Sequence, residues 1–377
     1  MTGSDEMFSP QVRRYFYQKA ARERIPISGT FELTPRCNMN CAMCYIRMSE
    51  KELCRHGRER TADEWIDLGR QCADAGMLFL LLTGGEPFLR KDFRRIYTEL
   101  KKMGLLITIN TNATLLDEDT VSWLASDAPA RVNVTLYGGS NETYHRLCGH
   151  PTGYDAAVRG IELLRQAGIL VNINSSFTCY NLSDMDAIVS FGQDRGLRVN
   201  AATYMFPPVR KEGAVECNAD VRFTPEEAGA ARAKADLLLL PPHLWERKLR
   251  CIYEIHEDEE CQRTLDEKMG CMAGKAAFWV TWDWRMTPCG MMNSPVVRLE
   301  DTGFRQGWEA IMEQTDLLRL PAECGKCSMR PACMICGALS TAETGQCHGK
   351  PDYLCRLTKS YLSELEKAYK EGDYENR

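Results

Sequence analysis

The sequence lacks three features: a long apolar run, an excess of basic residues and a secretory signal. Its longest apolar runs are MLFLLL (77–82) and LLLL (237–240), well short of the roughly 18 residues that a membrane span needs. With 47 Lys and Arg against 52 Asp and Glu, the formal net charge of −5 argues against nucleic-acid binding through a strongly basic surface. The polar beginning, MTGSDEMFSPQVRR, is not a signal peptide. We therefore expect a cytoplasmic protein with no membrane and no nucleic-acid partner.

Cysteine, by contrast, is abundant, because the chain has 18 of them. In a reducing compartment disulfides are disfavoured, so clustered cysteines are better interpreted as metal ligands. The densest group is CNMNCAMC, in which Cys37, Cys41 and Cys44 are spaced C-x3-C-x2-C. Three thiols are one short of a closed zinc site, whereas an iron–sulfur cluster held by three thiolates keeps one iron open for a substrate or cofactor. The spacing favours a reactive cluster, with structural zinc as the alternative.

Between residue 28 and about 204, short apolar runs alternate with amphipathic segments. Six strands with intervening helices indicate a parallel α/β sheet, either doubly wound or curved into a partial barrel. The carboxyl ends of parallel strands meet at one edge of a sheet, where sites form. The predicted strands are 27–34, 77–82, 105–110, 130–136, 169–176 and 197–203, and the first four are followed by CNMNCAMC, TGGEP, NTNAT and YGGS.

At these positions the chain resembles the radical S-adenosylmethionine (radical SAM) superfamily. The family's motifs match the three cysteines with Tyr45 directly after them, TGGEP after the second strand, NTNAT after the third and LYGGSNETYHRLCG after the fourth. The resemblance covers roughly residues 28–204 and implies a partial (β/α)6 barrel of the TIM type. It also implies that Cys37, Cys41 and Cys44 hold a [4Fe–4S] cluster whose open iron chelates the amino and carboxylate groups of S-adenosylmethionine.

In this family, electron transfer cleaves the cofactor to methionine and a 5′-deoxyadenosyl radical, which abstracts hydrogen from the substrate. By the resemblance, TGGEP meets the methionyl amino group, with paired glycines for close backbone approach and Glu86 as the carboxylate. Asn112 is expected at the ribose and Arg146 at the cofactor carboxylate. The predicted cofactor-binding residues are Tyr45, Thr83, Gly84, Gly85, Glu86, Pro87, Asn112 and Arg146.

A second cysteine-rich region follows toward the end of the chain, with CGKCSMRPACMIC (324–336) as its densest part. Its spacing, C-x2-C-x5-C-x2-C, is consistent with two zinc sites. The arrangement also resembles the SPASM extension of radical SAM enzymes, which carries two auxiliary [4Fe–4S] clusters, although its last interval is one residue shorter here. By that resemblance Cys324, Cys327, Cys333 and Cys355 hold an outer cluster, and Cys271, Cys289 and Cys336 hold an inner one.

The fourth ligand of the inner cluster is open at this point. Cys261 is included among the predicted metal ligands, with Cys251 or a position left open to substrate as alternatives. Cys347 and His348 are expected to be bystanders. Neither spacing nor resemblance decides between these alternatives.

The chain divides into five predicted segments, with the small SPASM domain after the barrel. Thr224, followed by Pro225, begins a helix between the two, and FWVTWDWRMTPC (278–289) has the pattern of a β-hairpin. The segments are an N-terminal helical extension at 1–27, the radical SAM partial barrel at 28–204, a helical connector at 205–260, the SPASM iron–sulfur domain at 261–356 and a C-terminal helix and tail at 357–377.

The predicted activity is that of a radical SAM oxidoreductase, because auxiliary clusters give an exit to the electron that a substrate radical must lose. SPASM-bearing enzymes mostly modify ribosomal peptides or protein side chains, so an oxidative cross-link or dehydrogenation of a peptide is the first hypothesis. A small metabolite, such as a sugar or cofactor precursor, is the alternative substrate, and a zinc-stabilised binding protein is the third hypothesis. Sulfatase maturases place an acidic residue directly after an auxiliary-cluster cysteine; here Gly290 follows Cys289, which argues against that activity.

Partners follow from the same chemistry. About 27 residues precede the first predicted strand, too few for a module that grips a leader peptide, so a peptide substrate requires a separate recognition protein. An electron donor such as flavodoxin or ferredoxin must supply the reducing electron. Tyr204, at the end of the sixth predicted strand, is the candidate catalytic residue.

Overall fold

The computed structural model describes residues 10–207, 220–241, 243–244 and 268–370. None of the helices in this described part of the chain is both long and apolar enough to cross a membrane. The strands are β1 (Ser28–Glu32), β2 (Phe79–Thr83), β3 (Leu106–Thr111), β4 (Arg131–Thr135), β5 (Val171–Ser176), β6 (Arg198–Ala202), β7 (Ala277–Val280), β8 (Arg285–Thr287) and β9 (Val297–Arg298). The helices are α1 (Pro10–Glu23), α2 (Glu50–His56), α3 (Ala62–Asp74), α4 (Phe93–Lys102), α5 (Glu118–Ser126), α6 (Asn141–Cys148), α7 (Gly153–Gln166), α8 (Met185–Asp194), α9 (Pro225–Leu239), α10 (Leu299–Asp316), α11 (Ala322–Gly325), α12 (Gly337–Thr344) and α13 (Asp352–Lys370), with short 3-10 turns at Pro87–Leu89 and Leu182–Asp184.

Six parallel strands form the predicted α/β partial barrel, and each predicted strand agrees with the observed one to within two residues at either end. The strand order is β6-β5-β4-β3-β2-β1-β7-β8-β9. The predicted hairpin is confirmed, since β7 and β8 pair antiparallel. Strand β7 also pairs in parallel with β1, with Ser28 opposite Ala277, and so adds to the barrel sheet on the far side of β1 from β2. The sequence did not predict this last pairing, because it joins residues about 250 positions apart.

The core of the barrel follows the two-residue period of its strands. Alternate residues of a strand point to the same face, so one apolar set per strand is buried. Aromatic packing extends this core, because the ring of Trp65 in α3 lies 5.2 Å from the ring of Phe31 in β1. The alternating residues that are at most 1% exposed are Leu80 and Leu82 in β2, Ile107 and Ile109 in β3, and Val132 and Val134 in β4.

Local sequence signals set the beginnings of two helices, and the one at Thr224 was predicted. At α3, Thr61 Oγ1 accepts a bond from the Glu64 N–H, and the Glu64 carboxylate accepts one from the Thr61 N–H. At α9, Thr224 and Glu227 make the same reciprocal pair. Each pair satisfies two of the backbone donors that a helix leaves without partners at its beginning.

The chain forms two compact units that do not follow the order of the sequence. The first comprises Met1–Leu136, Ser140–Ile173 and Met272–Leu317, and the second comprises Tyr137–Gly139, Asn174–Cys271 and Leu318–Arg377. The first unit contains the cysteine loop after β1. The second contains most of the cysteine-rich region, and the five predicted segment boundaries remain predictions.

In the second unit, α9 and α13 pack closely together. A Cβ at Gly229 would fall on the carbonyl oxygen of Leu357, so only glycine permits this backbone approach. Tyr361 donates its hydroxyl proton to Asp236 at 2.6 Å. The last helix begins at Asp352 rather than at the predicted 357, because Pro351 precedes it and accepts the bonds of the first turn through its carbonyl. Cys355 therefore lies inside a helix.

Candidate active site

Helix α6 holds the loop that carries the first three motif cysteines. The N–H groups of Asn40 and Ala42 donate to the carbonyl oxygens of Cys148 and Leu147, at 2.8 and 2.9 Å. These carbonyls belong to the last turn of α6, where a helix has no acceptor partners of its own, and Gly149 ends the helix in the left-handed conformation. This clamp was not predicted, since it joins residues about a hundred positions apart.

Backbone N–H groups also face the motif sulfurs. The N–H of Met39 lies 3.4 Å from Cys37 Sγ, and the N–H of Arg47 lies 3.3 Å from Cys44 Sγ. Burial raises the pKa of Cys37 to about 12, and the charges of Glu86 and of the other two motif cysteines raise it too. Thiolates crowded in this way are stable only when a cation offsets their charge. The donor set therefore fits a cationic iron–sulfur cluster.

The paired glycines after β2 allow that strand to meet the start of the cysteine loop. A Cβ at Gly84 would lie 2.6 Å from the carbonyl oxygen of Thr34, and one at Gly85 would fall on the carbonyl oxygen of Arg36. Instead the Gly85 N–H donates to Thr34 at 2.7 Å, and the Glu86 N–H donates to Arg36 at 2.8 Å. Gly84 also adopts a φ of 152°, which favours glycine. The TGGEP element is thus hydrogen-bonded directly to the cysteine loop.

Glu86 joins the ends of β2 and β3. Its carboxylate is fully buried and accepts bonds from Thr111 Oγ1 at 2.8 and 3.0 Å, from the Asn112 N–H at 2.8 Å and from the Phe88 N–H at 3.1 Å. Burial raises the pKa of Glu86 to about 7 even though these donors favour the charged form. Its predicted contact with the methionyl ammonium stays a prediction.

Asn112 connects β3 to the first motif cysteine. Its Nδ2 donates to Asn38 Oδ1 at 2.9 Å and lies 3.7 Å from Cys37 Sγ. Thr114 completes the network, because its hydroxyl donates to Asn112 at 2.7 Å and accepts from Asn38 at 2.8 Å. Asn38 was not predicted as a site residue; its signal was its place directly after Cys37. The role of Asn112 at the ribose stays a prediction.

The other predicted cofactor residues belong to the same unit as the motif cysteines. Tyr45 is half-buried directly after the last of them, and Thr83 is buried at the end of β2. Pro87 is buried at the start of a 3-10 turn, and Arg146 is exposed on α6, the helix that clamps the cysteine loop. Their contacts with the cofactor stay predictions.

In the second unit, the four cysteines predicted for the outer cluster line one cavity: Cys324, Cys327, Cys333 and Cys355. Apolar side chains, among them Met329 and Leu354, complete its wall. The four thiols come from the turn after Pro321, from the following loop and from the first turn of α13. No three histidine, cysteine, aspartate or glutamate side chains among the described residues are arranged to share one metal ion. A [4Fe–4S] cluster is held differently, since each thiolate binds its own iron.

The cysteines predicted for the inner cluster are divided between the two units. Cys289 lies in the first, directly after β8 and Pro288. Cys271 and Cys336 lie in the second, where Cys336 immediately precedes α12. Cys261 lies outside the described residues, as does Cys251. The assignment of these residues as ligands stays a prediction.

Tyr204 is part of a buried polar and aromatic cluster in the second unit. Its hydroxyl donates to Glu343, which also forms an ion pair with Arg222. The guanidinium of Arg222 lies 3.7 Å from the ring centre of Tyr353, and the Tyr353 hydroxyl donates to the carbonyl of Phe223 at 2.7 Å. Burial, and then the charge of Glu343, raise the pKa of Tyr204. These contacts favour a structural role for Tyr204, and its catalytic role stays a prediction.

Comparisons with known proteins agree with this arrangement. The Radical SAM superfamily model matches residues 31–191. The AdoMet-dependent heme synthase of Methanosarcina barkeri is 27% identical and covers 84% of this chain and 92% of its own length. The sporulation killing factor maturation protein SkfB of Bacillus subtilis is 25% identical and covers 80% of this chain and 68% of its own length.

A solved structure shares the fold over nearly the whole chain. The structure of anSMEcpe with bound AdoMet and the Cp18Cys peptide superposes with a TM-score of 0.66, covering 93% of this chain and 99% of that one. At 14% sequence identity this likeness concerns the fold alone. The partial barrel followed by a cysteine-rich region is therefore an established architecture.

Proposed function

Because this chain belongs to the radical SAM superfamily, we propose that it is an oxidoreductase of the SPASM type that removes a hydrogen atom and then an electron from its substrate. A [4Fe–4S] cluster held by Cys37, Cys41 and Cys44 would supply the electron that divides S-adenosylmethionine into methionine and a hydrogen-abstracting 5′-deoxyadenosyl radical. An auxiliary cluster held by Cys324, Cys327, Cys333 and Cys355 would accept the electron that the substrate loses after hydrogen abstraction, and release of a proton would complete a two-electron oxidation.

The observation that carries this proposal is the meeting of the cysteine loop with the ends of β2 and β3. Gly84 and Gly85 bring the backbone after β2 into hydrogen-bond contact with the loop. Glu86 fixes β2 to β3, and Asn112 extends from β3 to within 3.7 Å of Cys37 Sγ. These residues hold the loop in one shape and orient polar groups toward the cluster ligands, as cofactor binding beside an open iron requires.

The cavity lined by Cys324, Cys327, Cys333 and Cys355 supports the oxidative half of the proposal. Four thiols around one space form a complete ligand set for a [4Fe–4S] cluster. Such a cluster accepts one electron at a time, which is what oxidation of a substrate radical requires. In our proposal a flavodoxin or ferredoxin supplies the electron that cleaves the cofactor.

For the substrate, the first candidate is a cofactor precursor of the porphyrin type. The relative named AdoMet-dependent heme synthase matches 84% of this chain and 92% of its own length, so the similarity extends well beyond residues 31–191, which the family model matches. This candidate belongs to the small-metabolite class that the sequence left as the alternative. It needs no leader-peptide-binding module and no separate recognition protein.

A ribosomal peptide is the second candidate. The relative named as a sporulation killing factor maturation protein matches 80% of this chain, only slightly less than the first relative does. The packing around Gly290 also argues against sulfatase maturation. A Cβ there would lie 2.8 Å from the indole ring of Trp279, which leaves no room for an acidic side chain after Cys289.

The first test measures iron, acid-labile sulfide and zinc per chain after anaerobic purification and reconstitution. About twelve irons are expected for three [4Fe–4S] clusters. Zinc without iron would contradict the proposal. Release of 5′-deoxyadenosine from S-adenosylmethionine under dithionite is then compared between wild type, Cys41→Ala and Cys54→Ala. Only Cys41→Ala should abolish release, since Cys54 is an exposed cysteine of α2 outside the motif.

The second test identifies the substrate class. Reconstituted enzyme is incubated with S-adenosylmethionine, reductant and either iron coproporphyrin or a set of short peptides. If the first candidate is right, the porphyrin should raise 5′-deoxyadenosine release. The amount of porphyrin product with a changed mass should then equal the amount of 5′-deoxyadenosine released. Stimulation by a peptide alone, with a peptide product two mass units lighter, would establish the second candidate instead.

A further inference from the structure

Cys347, which the sequence leaves as a bystander, lies beside Cys336. Helix α12 begins at Gly337, directly after Cys336, and Cys347 follows the end of that helix. A Cβ built on Gly337 would nevertheless lie 3.0 Å from Cys347 Sγ. An eight-residue helix is about 12 Å long. The chain after α12 must therefore double back along the helix to bring this sulfur to its beginning.

The turn after α12 is built to make this return. Gly345 ends the helix with a φ of 78°, a left-handed conformation that suits glycine. The Gln346 N–H then donates to Thr344 Oγ1 at 3.2 Å, and the Gly349 N–H donates to the Gln346 carbonyl at 3.1 Å. Cys347 lies inside this closed turn, so its sulfur has a defined position.

The surroundings of Cys347 are those of a ligand group. Its side chain is half-buried, and Met269 Sδ contacts the same face of Gly337. The sulfur of Cys347 thus lies against the residue that directly follows the predicted ligand Cys336.

We infer that Cys347 is a ligand of the inner auxiliary cluster. This inference rests on the proposed function only because it requires that such a cluster exists. Cys347 then takes the fourth ligand position that the sequence left open, and four thiolates close a [4Fe–4S] cluster. Gly337 is part of this arrangement, because any side chain there would push Cys347 and Met269 away from Cys336. Cys261 is then not a ligand.

The test compares Cys347→Ala and Cys347→Ser with Cys261→Ala and Cys179→Ala, all reconstituted as full-length chains. Cys179 is exposed and serves as the matched control. We expect Cys347→Ala to lose about four of twelve irons, or to show the electron-paramagnetic signal of a [3Fe–4S] cluster. Cys261→Ala and Cys179→Ala should keep the iron content and spectrum of wild type. Wild-type iron and spectrum in Cys347→Ala, or their loss in Cys261→Ala, would overturn the inference.

A second measurement needs no variant and covers the case in which Cys347→Ala does not fold. Holo and apo wild-type chains are treated with iodoacetamide, and each cysteine is quantified by mass spectrometry. Cys347 should be protected in the holo chain and labelled in the apo chain, whereas Cys179 should be labelled in both. Equal labelling of Cys347 in the two forms would overturn the inference.

Failure of the inference can be told from failure of the proposed function. Cleavage of S-adenosylmethionine without substrate depends on the three-thiolate cluster and should persist in Cys347→Ala. A wild-type chain that holds about four irons and still cleaves S-adenosylmethionine would remove the inner cluster, and the inference with it. That result would leave the radical chemistry intact. A wild-type chain without iron would contradict both.

Discussion

The two cysteine groups of this protein are built in opposite ways. The first three predicted ligands fall within eight residues of one loop, and the loop is held by hydrogen bonds from α6, from the end of β2 and from the end of β3. The four thiols of the second cavity are spread from Cys324 to Cys355, and the packing of a helix against a loop brings them together. The first group is therefore complete within one short motif, whereas the second needs tertiary structure to bring Cys355 to the other three thiols.

The largest difference between the two groups should appear in catalysis. Cys44→Ala removes a predicted ligand of the reactive cluster and should lower 5′-deoxyadenosine release about a hundredfold or more. Cys333→Ala removes a predicted ligand of an auxiliary cluster and should leave this release within about threefold of wild type, while substrate oxidation stops. Liquid chromatography of both products checks the pair. An equal loss of 5′-deoxyadenosine release in the two variants would contradict the proposal that only the first cysteine group is needed to cleave S-adenosylmethionine.

Glycine-to-alanine substitutions beside the two cysteine groups should lower the free energy of unfolding by different amounts, because the two glycines contact different atoms. Gly85→Ala places a methyl on the Arg36 carbonyl oxygen, which is backbone and cannot retreat, so we expect about 3 kcal/mol of destabilisation. Gly337→Ala meets the movable thioether of Met269 and should cost about 1 kcal/mol. Urea unfolding of the apo chain measures both. Gly270→Ala, which meets no atom within 4 Å, is the control, and a cost for it equal to that of Gly85→Ala would contradict the steric argument.

Breaking the Arg222–Glu343 pair should lower the stability of the second unit and leave the stability of the first unchanged. The two side chains are 16% and 9% exposed, and Glu343→Gln leaves the guanidinium without its charge partner, at a cost of about 2 kcal/mol. The double variant Arg222→Met with Glu343→Gln should recover part of that loss, since no unpaired buried charge remains. Thermal unfolding checks the three chains. Additive losses in the double variant would show that the two residues act independently.

Tyr204→Phe should give the smallest effect. It removes the hydroxyl donor to Glu343, whose carboxylate keeps Arg222 as a partner, so about 1 kcal/mol of stability is expected to be lost. Substrate turnover should stay within about threefold of wild type if the residue is structural. A hundredfold loss of turnover at unchanged stability would instead establish the catalytic role that the sequence suggested for Tyr204.

The structural features that could be predicted from the sequence are those that depend on residues close together in the chain. The helix beginning at Thr224, the strand ends and the TGGEP element are each encoded by a few neighbouring residues, and the structure has them where they were expected. Contacts between distant residues were missed. The pairing of β7 with β1 and the clamp of α6 on the cysteine loop have no sequence period to signal them.

The second cysteine region shows the same limit. The sequence grouped Cys324, Cys327, Cys333 and Cys355, and the structure places them around one cavity. The sequence did not predict Cys347 as a ligand, because a residue beyond the end of a helix is not expected at the beginning of that helix. Only the folded turn after α12 reveals this neighbour.

The clamp of α6 on the cysteine loop also has a consequence during synthesis. Asn40 and Ala42 find their acceptors only after Leu147 and Cys148 have been made, about a hundred residues later. At a synthesis rate of about 5 to 20 residues per second, that interval is about 5 to 20 s. For this time the three thiols of the loop are part of a nascent chain without the partner that shapes them. Cluster delivery to this protein should therefore begin only after the fourth strand and α6 have emerged from the ribosome.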